Sequence, residues 1–91
     1  MTSNYEFVWV FNGNNTSFPS AVFKTEESAI QWIKEHKLSG TLTQYPLGIS
    51  AYDHAINTDQ FKVRKEHEKT SRFMVTFSPR TPHSHWDNGV N

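Results

Sequence analysis

The stretch from Tyr5 to Gly40 constrains this chain most, because it reads as strand, turn, strand, capped helix and helix stop almost without interruption. Tyr5, Phe7, Trp9 and Phe11 recur at every second position and share one face of a strand, while Val8 and Val10 share the other. Apolar residues on both faces predict an interior strand over 5–11, covered on both sides at its middle. The run from Asn12 to Ser17 is turn chemistry, since Gly13 and the asparagines tolerate positive φ. A second strand over 20–24 then closes a hairpin with a longer loop. Thr25 is placed to cap a helix whose first turn carries Glu26 and Glu27, where carboxylates suit the positive end of the dipole. Ala29, Ile30 and Ile33 fall on one helical face with Trp32 at its flank. Lys34, His36 and Lys37 gather in the last turn, and Leu38, Ser39 and Gly40 form the stop, with Gly40 free to take the left-handed cap.

The second half is less sharply patterned. Residues 41–45 read as a strand that Pro46 ends, and Ser50 caps a short helix over 51–58 with Tyr52, Ala55 and Ile56 inward. Residues 62–70 read as a polar loop or an exposed helical turn. Arg72 to Phe77 alternates, with Phe73, Val75 and Phe77 on one face, and reads as the last strand. Pro79, Pro82 and the polar run over 79–91 read as a C-terminal tail. The order strand, strand, helix, strand, helix, strand defines the α+β class: a small antiparallel or mixed β-sheet of about four strands packed on one main helix (25–38), with a second short helix (51–58).

Size and composition narrow the possibilities further. Ninety-one residues make a single domain over 1–91. Only 35% of them are apolar, so seven Phe, three Trp and three Tyr must supply much of the core. Nine basic and nine acidic side chains balance to zero net charge. That argues against a constitutive nucleic-acid or membrane-surface binder and leaves little charge to oppose self-association. The absence of cysteine excludes a disulfide framework, a thiolate metal site and a Cys nucleophile. The N-terminus shows no basic segment followed by an apolar run, and no window approaches a membrane-spanning length, so a cytoplasmic location with no membrane contact is expected. Asn14 and Asn15 match the glycosylation pattern but read as turn residues.

Four residue groups carry candidate chemistry. His83, His85 and Asp87 fall at alternate positions, which in an extended segment would aim two imidazoles and a carboxylate at one metal ion; a polar tail would hold such a site poorly. Ser50, Tyr52, Asp53 and His54 offer hydroxyl, carboxylate and imidazole, yet neighbours on a helix diverge by about 100°, which suits a cap better than a triad. Lys62, Arg64, Lys65, Lys69 and Arg72 hold five of the nine basic residues. They read as a solvated loop or, alternatively, as a patch for phosphates or an acidic partner. Trp9 and Trp32 read as core. Trp86, isolated in the polar tail, must either fold back onto the sheet or dock on another chain. No phosphate-cradling glycine loop occurs and no cofactor is implied.

These residues favour a non-enzymatic protein-binding module that contacts another protein or a second copy of itself through Trp86 and the basic residues Lys62, Arg64 and Lys65. The alternative is a small metal-binding protein or enzyme built on His83, His85 and Asp87, with His54 lending an imidazole from the body of the fold. Nucleic-acid binding through 62–72 ranks third. Val8 to Phe11, Phe18 to Phe23, Ala29 to Ile33, Leu38 to Pro46, the trio Tyr52, Asp53 and Ala55, and the closing Asn88 and Gly89 together resemble a small bacterial domain family of unknown function. The resemblance spans residues 8–89 and implies a stand-alone domain of this size with no assigned chemistry. Its residues are apolar, turn and cap positions, so it brings no active site with it.

Overall fold

The computed structural model describes residues 5–91, so the expectation of no leader sequence, where it rests on residues 1–4, lies outside it. The elements are β1 (Glu6–Gly13), β2 (Ala21–Phe23), α1 (Glu26–Glu35), β3 (Gly40–Leu47), α2 (Ala51–Asn57), a 3₁₀ turn (Glu66–Lys69), α3 (Ser71–Val75) and β4 (His83–Trp86). The four strands form one sheet in the order β2-β1-β3-β4, with every pair antiparallel. The α+β expectation holds, and of its two sheet types the antiparallel one is present.

Cross-strand register shows which residues share a face. Trp9 lies opposite Phe23, Phe11 opposite Ala21 and Leu42, and Gly40 opposite Trp86. This face is the one the helices cover. Ala29 and Ile33 of α1 join Phe11, Leu42 and Trp86 in the buried core, with Trp9, Phe23, Ile30, Trp32 and Leu38 packed around them. Burying a side chain such as Ile33 or Leu42 contributes about 1.5–3 kcal/mol. The helix starts where the sequence predicts: the Thr25 hydroxyl accepts the Ser28 N–H at 3.2 Å. It stops differently. Lys37, not Gly40, takes the left-handed conformation (φ 52°), and the Leu38 N–H returns to the Ile33 carbonyl at 3.0 Å, a Schellman closure.

β1 is interior, as its two apolar faces predict, but among the described residues helices cover it on one side only. Val8 and Val10 face outward between Val22 of β2 and Thr43 and Tyr45 of β3 and are half-buried. Pro46 does not end β3; it lies inside the strand opposite Phe7. The Gln44 N–H points away from β1 to the Pro82 carbonyl, and two residues on Pro46 N points the same way, past the end of β4. A missing donor costs nothing there.

Two expectations fail in the C-terminal half. Residues 72–77 are not a strand: Thr70 caps α3 by accepting the Phe73 N–H at 3.2 Å. Phe73 and Phe77, four residues apart, pack with Tyr52 and Phe61 into a second aromatic cluster with centroid separations of 5.0–6.1 Å. Val75, between them, is 81% exposed. The alternation fits a strand, but Thr70 starts one helical turn that carries Phe73, Phe77 follows just past its end, and the Tyr52 ring that both meet supplies the surface that selects this arrangement. The segment 79–91 is likewise no loose tail, since it contributes β4 to the sheet edge.

Candidate functional site

β4 is a polar strand, and its place in the sheet is secured at both ends. Thr81 donates its hydroxyl to the Gln44 carbonyl before the strand. After it, Asp87 to Val90 forms a two-residue hairpin turn with Asn88 (φ 51°) and Gly89 (φ 77°) both left-handed and reciprocal backbone bonds between Asp87 and Val90 at 2.8 and 2.9 Å. The turn is tied to the end of α1: Gly89 N–H donates to the Leu38 carbonyl at 2.9 Å, and Asn88 N–H to the Ser39 hydroxyl at 2.9 Å. A Cβ on Gly89 would sit 3.0 Å from Lys37 Cα, so this close approach also needs glycine.

The polarity of the β4 backbone follows from one bond. Because Gln44 N–H donates to the Pro82 carbonyl, the Thr43–His83 pair is of the non-hydrogen-bonded type, and so is Thr41–His85. Ser84 and Trp86 therefore spend their amides and carbonyls on β3. The amides and carbonyls of His83 and His85 point outward, along an edge that no strand of the described residues covers. Val90 and Asn91 lie at the near end of that edge, since Val90 pairs with Asp87 from outside.

Between this edge and α1 runs a groove of about 530 Å³. Ile30 and Trp86 give it an apolar lining, Ser84 and Val90 line the strand side, and Glu26 and Lys34 stand four residues either side of Ile30. Trp86 has folded back: its ring is in the core at 5% exposure, with its indole N–H donating to the Ser84 hydroxyl at 2.8 Å. Of the two readings of Trp86, fold-back onto the sheet is the one present, because the core beside Gly40 offers that ring a larger apolar contact than water does.

The metal candidates separate. His83 and His85 are exposed on the helix-free face with ring centroids 5.1 Å apart, and His85 Nδ1 lies 3.4 Å from the Thr41 hydroxyl. Asp87 instead accepts the Ser39 hydroxyl at 3.3 Å. Among the described residues no group of three or more His, Asp or Glu side chains is placed to hold a metal ion. His54 is far from forming a site with them; it is buried edge-on against the Tyr5 and Phe7 rings. Ser50 caps α2 by accepting the Asp53 N–H and donating to its carboxylate, both at 2.9 Å, and Tyr52 donates to the Glu68 carbonyl at 2.7 Å. Each of the four groups thus has a structural partner, and His54 contacts neither Ser50 nor Asp53 in the way a triad requires.

Lys62, Arg64 and Lys65 are exposed, as are Lys69 and Arg72, and Lys69 pairs with Glu66 at 3.4 Å. The apolar residues interleaved with them, Phe61 and Val63, are half-buried, and Phe61 belongs to the Tyr52 cluster. Glu68 Oε1 accepts the backbone N–H groups of Arg64 and Lys65 at 2.7 and 3.1 Å. Those two bonds hold its carboxyl below the ordinary Glu value. None of these five basic residues lines the groove beside β4. The groove residues Glu26, Ile30 and Lys34 follow each other at four-residue steps, a helical stripe visible in the sequence, but its meaning depends on β4 lying next to it.

Among the described residues, the sheet, its uncovered edge and the helices on one of its faces define a two-layer α+β domain. The chain belongs to a family described as a domain of unknown function (DUF7710), whose model matches residues 8–91. It matches no curated protein and no solved structure. No helix of the described residues is long and apolar enough to cross a membrane.

Proposed function

We propose that this domain is a non-enzymatic protein-binding module that meets its partner along the β4 side of the sheet. The outward-facing amides and carbonyls of His83 and His85, set beside an apolar groove, support this reading. An uncovered strand edge is a template for another chain, and an apolar concavity next to it adds side-chain recognition. The family description assigns no chemistry, and the Ser50–His54 segment is committed to capping and packing. Panning a display library of random peptides on the immobilised domain tests the reading. Enrichment of peptides that compete with one another for one site is expected, and a library that yields no binder above background overturns it.

A second reading rests on the His83–His85 spacing. Two imidazoles sharing one tetrahedral ion, at about 2.0–2.1 Å from nitrogen to metal, have ring centroids about 5 Å apart, which is the separation seen here. The pair would act as a two-ligand chelate with open positions for water or a donor from a partner. Calorimetric titration with zinc is expected to show one ion per chain, lost in the His83→Ala/His85→Ala variant. Heats unchanged in that variant would remove this reading.

A further inference from the structure

We infer that the groove between α1 and β4 takes an extended peptide as a fifth strand, antiparallel to β4, with an apolar anchor residue opposite Ser84, an acidic residue on the N-terminal side of that anchor and a basic residue on its C-terminal side. The inference rests on the protein-binding reading and names the partner of the same edge.

Direction comes from the chain itself. Val90 already pairs with Asp87 from outside, antiparallel to β4. An incoming strand in the same direction starts where Asn91 stands and continues past His85, Ser84 and His83. Its backbone meets the outward N–H and C=O groups of His85 and His83, the hydrogen-bonded positions of the new ladder. The residue opposite Ser84 shares the face of Ser84, which is the groove face. There it meets Ile30 and Trp86, so an apolar side chain of Leu, Ile, Met or Phe size fits that position.

Charge sets the flanks. α1 leads through a short loop into β3, which is antiparallel to β4, so α1 runs in the same sense as β4 and its two ends face different parts of the groove. Lys34 stands at the Trp86 end, its Cα only 3.3 Å from where a Gly89 Cβ would be, and Glu26 stands at the Ser84 end. A peptide entering beside Asn91 passes Lys34 before the anchor and Glu26 after it. An acidic, apolar, basic order matches both, and the reverse order opposes both.

His85→Pro provides the test. It removes one outward N–H while leaving the β3–β4 ladder intact, because the His85 amide makes no bond to β3; proline is tolerated at such an edge position. Peptides enriched on the wild-type domain are expected to lose at least about tenfold in affinity for His85→Pro, the scale of one or two backbone hydrogen bonds, and to bind His85→Ala within about threefold of wild type, as a backbone role requires. Exchanging the charges with Glu26→Lys/Lys34→Glu is expected to reverse the preferred order of the flanking residues. If His85→Pro unfolds, amide hydrogen exchange on the wild-type domain serves instead: the His83 and His85 amides should exchange fast when free and become protected on peptide binding. Peptides that bind His85→Pro undiminished, or that leave both amides unprotected, overturn the strand-addition site while leaving protein binding in place. A library without binders overturns both.

Discussion

At Gly40 the sheet leaves no room for a side chain. A Cβ there would stand 2.2 Å from the Asn12 carbonyl oxygen and 2.7 Å from Phe11 Cζ. The first of these is backbone and cannot move without parting β1 from β3. Gly40→Ala is therefore expected to cost about 3 kcal/mol, the upper part of the range for overpacking. Urea denaturation monitored by tryptophan fluorescence would measure it, and a loss below about 1 kcal/mol would show that the strands can part cheaply. The sequence marks Gly40 as special but suggests the wrong reason. A glycine just past a helix is usually its cap; here Lys37 accepts the left-handed strain, and Gly40 serves close approach between strands. Trp86 is similar. Its isolation in polar sequence is plain, but the cavity it fills exists only once Phe11, Leu42 and Ile33 are assembled.

Among the elements, β1, β2, α1 and α2 are legible because local pattern and tertiary role agree. Apolar alternation, turn clusters and caps at Thr25 and Ser50 all name the structure that forms. α3 and β4 are not legible, for opposite reasons. The alternation of Phe73, Val75 and Phe77 names a strand, and only packing of Phe73 and Phe77 on the Tyr52 ring decides for a helical turn that ends before Phe77. β4 has no apolar alternation at all, since His83 and His85 face solvent and only Trp86 is buried; pairing with β3 makes it a strand. Its clearest local signal is Asn88-Gly89, a favoured hairpin pair. The 3₁₀ turn carries its own testable feature. Glu68 is held in its charged form by the Arg64 and Lys65 amides, so its folded pKa lies below its ordinary value of 4.5. A lowered carboxyl pKa stabilises the fold at pH above the ordinary value, and that contribution disappears as pH falls through the lowered one. Glu68→Gln is expected to weaken the domain near neutrality and to show a shallower loss of stability on acidification below 4.5. Chemical denaturation across a pH series checks this; parallel profiles for the two proteins would contradict it.

At the scale of the molecule, the principal extents of 44 × 33 × 18 Å describe a thin slab, one layer of sheet and one of helices. The helix-free face carries Val22 at 62% and Leu47 at 54% exposure, with half-buried Val8 and Val10 between. The two-layer architecture was readable from element order, while the choice of a single covered face was not, because valines on the second face of β1 look the same whether a helix or cross-strand neighbours shelter them. The candidate site was least readable of all. Its parts, a helical stripe at Glu26, Ile30 and Lys34 and a polar strand some fifty residues later, become neighbours only in the folded sheet.

The hairpin turn at Asn88 and Gly89 has a practical consequence for handling the protein. It directs Val90 and Asn91 back along the outside of β4, and Asn91 lines the groove. Any affinity tag, fluorophore linker or fusion partner joined after Asn91 is delivered straight into that space at high effective concentration. Such a fusion would occupy the edge from within and compete with any strand that approaches it from outside.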